Sequence, residues 1–256
     1  IVYLRHPTTG GVFASWGSLA HVSIAEPEAL VGFLGPKVFE LLNSKPFPTG
    51  VQRSENLADC GVIDAVATAE EFPDILRRAL RAVCDEAAPS TLTRRAEFAE
   101  EAQSNDTWAS IARTRADNRA GVRDVLHAAG SDTVFLHGTH EGERDDTMLL
   151  ALTRFDNIGC VVIGQDKDAQ TPEAQMGPGA LRTARRGMRL AQELGLGLVT
   201  FFDTRSAELT QSAEEGAMAG EIARCIATMS TLDIPTVSVL LGQGTGGGAL
   251  ALLPAD

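Results

Sequence analysis

PTTGGVFASWG (residues 7–17) and TVSVLLGQGTGGGALALL (residues 236–253) decide how this chain is read. In both, a strand-like apolar run opens into a threonine-rich turn, a glycine pair and a second apolar stretch. Gly10-Gly11 and Gly247-Gly248 occupy corresponding places 237 residues apart, from 10 to 247, which is the size of one domain. That spacing predicts the back of one structural copy followed by the front of a second. Glycines at a strand-to-helix junction let a ligand approach the backbone. The first amides of the helix have no internal acceptor, and the helix dipole makes that end electropositive. Two such N–H groups can hold a developing oxyanion, each contributing about 3–4 kcal/mol in a transition state. The competing reading is a tight helix–strand contact that needs glycine for space alone.

Composition narrows the classes. With 256 residues the chain is long enough for one or two domains with an apolar core. A formal charge of −12 and 5% aromatics argue against a nucleic-acid partner. No window approaches the roughly 18 consecutive apolar residues of a membrane span. Cys60, Cys84, Cys160 and Cys225 show no C-x-x-C pairing and read as small core residues in a reducing cytoplasm. The chain opens on Ile1, already inside a strand-like run, and reads as an excerpt of a longer one.

Two α/β regions are expected, 1–84 and 108–256, joined by a polar linker over 85–107 that is partly helical around 94–102. In the first region, 1–4 and 21–25 read as strands. Segments 12–19, 36–44, 54–60 and 71–84 read as helices, with 12–19 buried. In the second, 108–113, 122–127, 178–194 and 214–231 read as helices, and 133–136, 160–163, 197–202 and 236–241 as strands. Leu181, Ala184, Met188, Ala191 and Leu194 give helix 178–194 one apolar face. Its other face carries Arg182, Arg185, Arg186 and Arg189, either a phosphate-binding surface or a solvated helix face.

Other chemistries have weaker support. Gly242-Gln243-Gly244 follows a strand, but no Lys-Ser/Thr follows to complete a phosphate loop. His6 could line a pocket beside the first motif. His137, His140 and Glu141 form no closed metal set and read as ordinary loop residues. Asp203, at a strand end, is either catalytic by position or a cap.

The stretches HPTTGGVFASWGSL, IAEPEALVGFLGP and GVQRSENLADCGVIDAV resemble the C-terminal half of the β subunit of bacterial acetyl-CoA carboxylase carboxyltransferase. IGQDKD, ARRGMRLAQELGLGLVTFFDT and the long run into LLGQGTGGGALAL resemble the N-terminal half of its α subunit. In that order they are similar to the fused single-chain carboxyltransferases of actinobacteria. The resemblance implies a crotonase-like α/β fold of stacked ββα units, with parts of two tandem domains. It also implies transfer of the carboxyl group of carboxybiotin to acetyl-CoA or a related short acyl-CoA, giving malonyl-CoA. Gly10 and Gly11, flanked by Thr8 and Thr9, would serve the thioester enolate. Gly247 and Gly248, flanked by Thr245 and Gly246, would serve the biotin ureido oxygen. No biotin-attachment Met-Lys-Met occurs, so carboxybiotin would arrive on a separate biotin carboxyl carrier protein charged by biotin carboxylase. The two halves would face each other across a homo-oligomer.

One stretch departs from the family pattern. After FFDT, α-type domains continue with a glycine-rich Pro-Gly-Ala-Tyr loop, whereas here RSAELTQSAEEG brings Arg205, Glu208 and Gln211. A decarboxylase-like activity on malonyl-CoA or malonate, and a non-catalytic scaffold subunit, therefore stay open beside the transferase.

Overall fold

The structure is a computed structural model that describes residues 1–84, 106–116 and 118–256; the helix expected around 94–102 lies outside the described residues. The first part runs through strands β1 (Val2–Leu4), β2 (Thr8–Thr9), β3 (Ser23–Ala25) and β4 (Val31–Gly32). Helices α1 (Pro36–Asn43) and α2 (Ser54–Asp59), strand β5 (Ala65–Val66) and helix α3 (Phe72–Cys84) follow. β1, β3 and β5 form a parallel sheet in that order, and β2 pairs parallel with β4.

The second part begins with α4 (Thr107–Thr114) and α5 (Val122–Ala129). Strands β6 (Gly130–Leu136), β7 (Met148–Phe155) and β8 (Ile158–Gln165) come next, then α6 (Pro178–Leu194) and β9 (Gly197–Thr204). It ends with α7 (Gln211–Glu215), α8 (Met218–Met229), β10 (Thr236–Gly244) and α9 (Gly246–Leu250). The five strands lie in the order β10-β9-β8-β7-β6; the β6–β7 and β7–β8 pairs are antiparallel, the β8–β9 and β9–β10 pairs parallel.

Both faces of this sheet are covered, which is why its central strands are apolar almost throughout. Leu150, Leu152, Val161 and Ile163 pack with Leu181, Ala184 and Met188 of α6 and with Ala79 and Ala82 of α3. Leu149, Ala151, Cys160 and Val162 pack on the opposite face with Val122 and Leu126 of α5. β7 was not expected from the sequence, because MLLALTRF lacks the polar alternation and the flanking glycines that mark a strand. Gly187 of α6 has no side chain where Leu150 and Ile163 press against the helix.

Segments 1–84 and 106–256 share this core, and a buried ion pair joins them. The Asp64 carboxylate accepts from Arg186 Nη2 (2.8 Å), His140 Nε2 (2.9 Å), and the backbone N–H groups of Ser23 (2.8 Å) and His137 (3.1 Å). Arg186 also donates to the carbonyls of His21, His137 and Gly138. Burial alone would raise the Asp64 pKa, but Arg186 and His140 outweigh it and hold the carboxyl below its ordinary value.

Several expectations need correction. The arginine face of α6 is largely committed to carboxylates: Arg186 is buried, Arg182 pairs with Glu143 and Glu221, and Arg185 with Glu221, so of the four only Arg189 is exposed as a solvated face would require. The expected helix 214–231 is broken because Ala217 takes a left-handed conformation (φ 63°) and Arg182 Nη2 claims the Gly216 carbonyl at 2.6 Å. The expected buried helix 12–19 is one π-type turn, Phe13–Gly17, closed by Gly17 N–H to the Val12 carbonyl, with Val12, Trp16 and Leu19 exposed. Cys60 and Cys84 are exposed, so only Cys160 and Cys225 are core residues; burial pushes both of those thiols up to about 12. His140 is a junction residue rather than an ordinary loop residue.

Removing one partner of a buried pair costs about 3–5 kcal/mol. Asp64→Asn and Arg186→Met are therefore each expected to lower unfolding free energy by about that amount in urea titrations at neutral pH. Because the folded-state pKa of Asp64 is lowered, its contribution is complete above the unfolded value of about 3.9 and drains away as pH falls further. The gap between wild type and Asp64→Asn is expected to narrow below about pH 4; a gap independent of pH would contradict the ionised assignment.

Candidate active site

The first glycine turn sits on the short β2–β4 pair. Thr8 N–H donates to the Leu30 carbonyl (2.9 Å) and Thr8 Oγ1 to the Arg5 carbonyl (2.7 Å), which fixes the approach to the turn. Gly10 is left-handed (φ 64°), and its N–H is occupied by the carbonyls of Gly32 (3.1 Å) and Phe33 (3.0 Å). The N–H groups of Gly11 and Val12 find no acceptor among the described residues. Thr8, Thr9, Gly11 and Val12 line an open groove of about 630 Å³ walled by Tyr3 and Trp16.

The second turn closes the five-stranded sheet. Thr245 N–H donates to the Thr204 carbonyl (3.2 Å), and Gly246 is left-handed (φ 68°) at the start of α9. Gly247 and Gly248 lie in the first turn of α9, where the helix itself offers their N–H groups no acceptor. The two turns therefore match in conformation one residue away from the expected register. Gly10 corresponds to Gly246 and Gly11 to Gly247, so Val12 corresponds to Gly248. Each turn spends one glycine on the left-handed bend and leaves the next two amides unbonded. No side chain fits beside the second turn without displacement: a Cβ on Gly247 would lie 2.7 Å from Ile222, and one on Gly248 would strike the Met176 methyl.

Gly246, Gly247 and Gly248 do not line the groove beside Gly11. Next to the second turn, at the carboxyl ends of the parallel strands, lies a polar cavity of about 270 Å³ lined by Asp203, Arg119, Arg205, Gln243 and Gln170 among others. Ligands of open α/β sheets bind at such strand ends. Asp203 is buried, forms an ion pair with Arg119, and accepts from Gln243 N–H at 3.0 Å, so it braces this wall rather than capping a helix. Of the residues that depart from the family loop, Arg205 lines the cavity, Glu208 N–H bonds the Met176 carbonyl, and Gln211 turns to Glu215.

The histidines build no rival site. Ser23 Oγ (3.3 Å) and Asp64 Oδ2 (2.9 Å) both approach the same nitrogen of His140, whereas a Ser-His-Asp relay needs them on opposite ring nitrogens. Burial and the nearby Arg144 hold His137 below the usual imidazole range. His6 lines a separate cavity and accepts from Leu30 N–H through Nδ1. Sequence reasoning missed Gln165, buried at the end of β8, which bonds both Asp203 N–H (2.8 Å) and the Gly248 carbonyl (2.7 Å).

A left-handed conformation costs a side-chain-bearing residue about 1–2 kcal/mol. Gly10→Ala and Gly246→Ala are expected to lose about that much stability, while Gly11→Ala, with open space around the new methyl, stays within about 0.5 kcal/mol. Thermal unfolding of the three variants checks this; equal losses at Gly10 and Gly11 would contradict the conformational assignment.

Comparison with known proteins agrees with this architecture. The chain is 51% identical over its whole length to the probable biotin-dependent acyl-coenzyme A carboxylase beta3 subunit of Mycobacterium tuberculosis, covering 51% of that protein. It is 34% identical over 253 residues to the acetyl-coenzyme A carboxylase carboxyl transferase subunits beta/alpha of Saccharopolyspora erythraea, covering 96% of this chain and 44% of that one. The chain thus spans about half the length of the curated relatives it matches. Among solved structures, a single-chain, multi-domain long-chain acyl-CoA carboxylase superposes with a TM-score of 0.75 at 19% identity, over 99% of this chain and 24% of that one. Transcarboxylase 12S superposes with a TM-score of 0.72 at 18% identity, over 98% and 48%. These likenesses establish the α/β fold of carboxyltransferases, consistent with a crotonase-like fold. The family model described as acetyl co-enzyme A carboxylase carboxyltransferase-like matches residues 81–256, and the chain belongs to that family.

Proposed function

We propose that the protein of which this chain forms part is the carboxyltransferase of a biotin-dependent acyl-CoA carboxylase. It would move a carboxyl group from carboxybiotin to acetyl-CoA or a related short acyl-CoA. The observation that carries this reading is the pair of conformationally matched turns, each presenting two unbonded amides behind a left-handed glycine. The transfer generates two oxyanions, a thioester enolate and a ureido oxygen, and requires no side-chain base. Gly11 and Val12 donate to the enolate oxygen, with Gly10 bending the chain and Thr8 and Thr9 lining the acyl-CoA groove. Gly247 and Gly248 donate to the ureido oxygen, with Gly246 as the bend and Thr245 anchored to β9. Loss of carboxyl from carboxybiotin leaves a ureido oxyanion that takes the acyl α-proton, and the enolate carbon then attacks the released CO2.

The division into a β-type half (1–84), a linker (85–107) and an α-type half (108–256) belongs to this reading. So do cytoplasmic operation, delivery of carboxybiotin by a separate carrier protein charged by a biotin carboxylase, and a homo-oligomer that brings the two turns into one site. The exposed Trp16, Leu19, Leu41 and Leu42 agree with such assembly. The relatives differ in the substrate their names carry, acetyl-CoA in one and acyl-CoA in the other, so acetyl-CoA is the finer part of the proposal.

The reverse reaction tests it. The full-length protein is incubated with malonyl-CoA, methylmalonyl-CoA or longer homologues, with and without biocytin, and the decarboxylated acyl-CoA is followed. Product that depends on biocytin is expected, and the fastest homologue defines the acyl group. Equal product without biocytin would establish a decarboxylase instead. Silence across the series would favour a scaffold subunit.

A further inference from the structure

Gln165 is completely buried at the end of β8, and its side-chain amide is satisfied at both ends. Its Oε1 accepts from Asp203 N–H (2.8 Å); its Nε2 donates to the Gly248 carbonyl (2.7 Å) and lies 3.4 Å from Met176 Sδ. The bond to Gly248 fills a specific gap. In α9, Ala251 N–H donates to the Gly247 carbonyl (3.0 Å), but Leu252 N–H turns to the Ala249 carbonyl (3.1 Å), so the helix ladder skips Gly248. A helix of five residues has too few internal bonds to hold its own geometry. The C=O and N–H of a trans peptide point in opposite directions. Holding the Gly248 oxygen therefore fixes the first-turn peptide that follows the two unbonded amides.

The other end of Gln165 holds the neighbouring wall. Asp203 leads into residues 204–207, which pack directly on the glycine turn: Thr204 C=O accepts from Thr245 N–H, and Ala207 N lies 3.4 Å from a Cβ position on Gly248. One side chain thus ties the strand-end loop to the glycine turn. We propose that Gln165 is a positioning residue for the carboxybiotin-side turn, locking α9 so that the Gly247 and Gly248 amides stay aimed at the developing ureido oxyanion. This rests on the carboxyltransferase reading above.

The test uses the full-length protein and two variants of nearly unchanged volume. Gln165→Met removes both hydrogen bonds. Gln165→Glu keeps an acceptor for Asp203 N–H but places a carboxylate oxygen against the Gly248 carbonyl. With biocytin and the preferred malonyl-type thioester, both variants are expected to lose tenfold or more in kcat, in line with the loss of aimed oxyanion donors. The KM for the thioester, which binds at the other turn, stays within twofold. Wild-type kcat in Gln165→Glu would overturn the proposal, because the bond to Gly248 would then not matter. A thioester KM rising in step with a falling Tm would overturn it too, as the mark of a merely structural role.

Should the wild-type protein show no turnover, the functional reading fails by itself, and amide hydrogen exchange decides the clamp separately. Faster exchange at Asp203, whose N–H donates to Gln165, and at Ala251 and Leu252, whose N–H groups bond back into α9, is the expected result in Gln165→Met with α6 unchanged; unchanged exchange at Ala251 and Leu252 would overturn the clamp.

Discussion

Asp64 is a carboxylate taken almost entirely out of water, and the joint between the two parts of the chain depends on what surrounds it. Its desolvation is offset by Arg186 from α6, by His140, and by backbone N–H groups of Ser23 and His137. Three of these donors, Arg186, His137 and His140, belong to the second part of the chain, whereas Ser23 and Asp64 belong to the first. A buried charge that loses such partners is strongly penalised. The two parts are therefore held in one relative position rather than merely sharing an apolar contact. α3 reinforces the joint by laying Ala79 and Ala82 on the five-stranded sheet.

Upon that rigid frame the two glycine turns repeat one local solution. A left-handed glycine reverses the chain sharply at the end of a strand, and the next two amides are left without acceptors. Such groups are poorly matched to a neutral ground state and well matched to an oxygen that becomes negative during reaction, which is the basis of electrostatic catalysis without a titrating side chain. The absence of a relay geometry at His140 is consistent with this division of labour, since that imidazole is committed to the joint. On the carboxyltransferase reading proposed above, chemistry falls to backbone amides at the turns and stability to ionised side chains in the interior.

Much of this was legible in sequence because it depends on periodicity. α6 runs over 178–194 as its three- and four-residue apolar spacing predicts, and α3 and β9 lie close to where their patterns place them. The paired turns were visible as glycine runs, but their register was not. A run of three glycines does not reveal which one bends left-handed, and only the backbone shows that Gly246, not Gly247, matches Gly10. The arginines of α6 looked like a polar face because the carboxylates that neutralise them, Asp64, Glu143 and Glu221, are far away in the chain. Gln165 was invisible for the same reason: its partner is a carbonyl 83 residues away, and a lone glutamine after a strand carries no local signal. Val12, Trp16 and Leu19 read as core because apolar spacing reports a buried face without saying what buries it.

The most direct measurement follows the carboxyl carbon itself. Malonyl-CoA, or the preferred homologue, is labelled at the free carboxyl and incubated with the full-length protein and biocytin, and the label is traced among thioester, biocytin and bicarbonate during the first turnovers. The expected result is label appearing on biocytin in step with decarboxylated thioester, and none released in the absence of biocytin. Label released directly as CO2 or bicarbonate, at the same rate whether or not biocytin is present, would contradict transfer between the two turns.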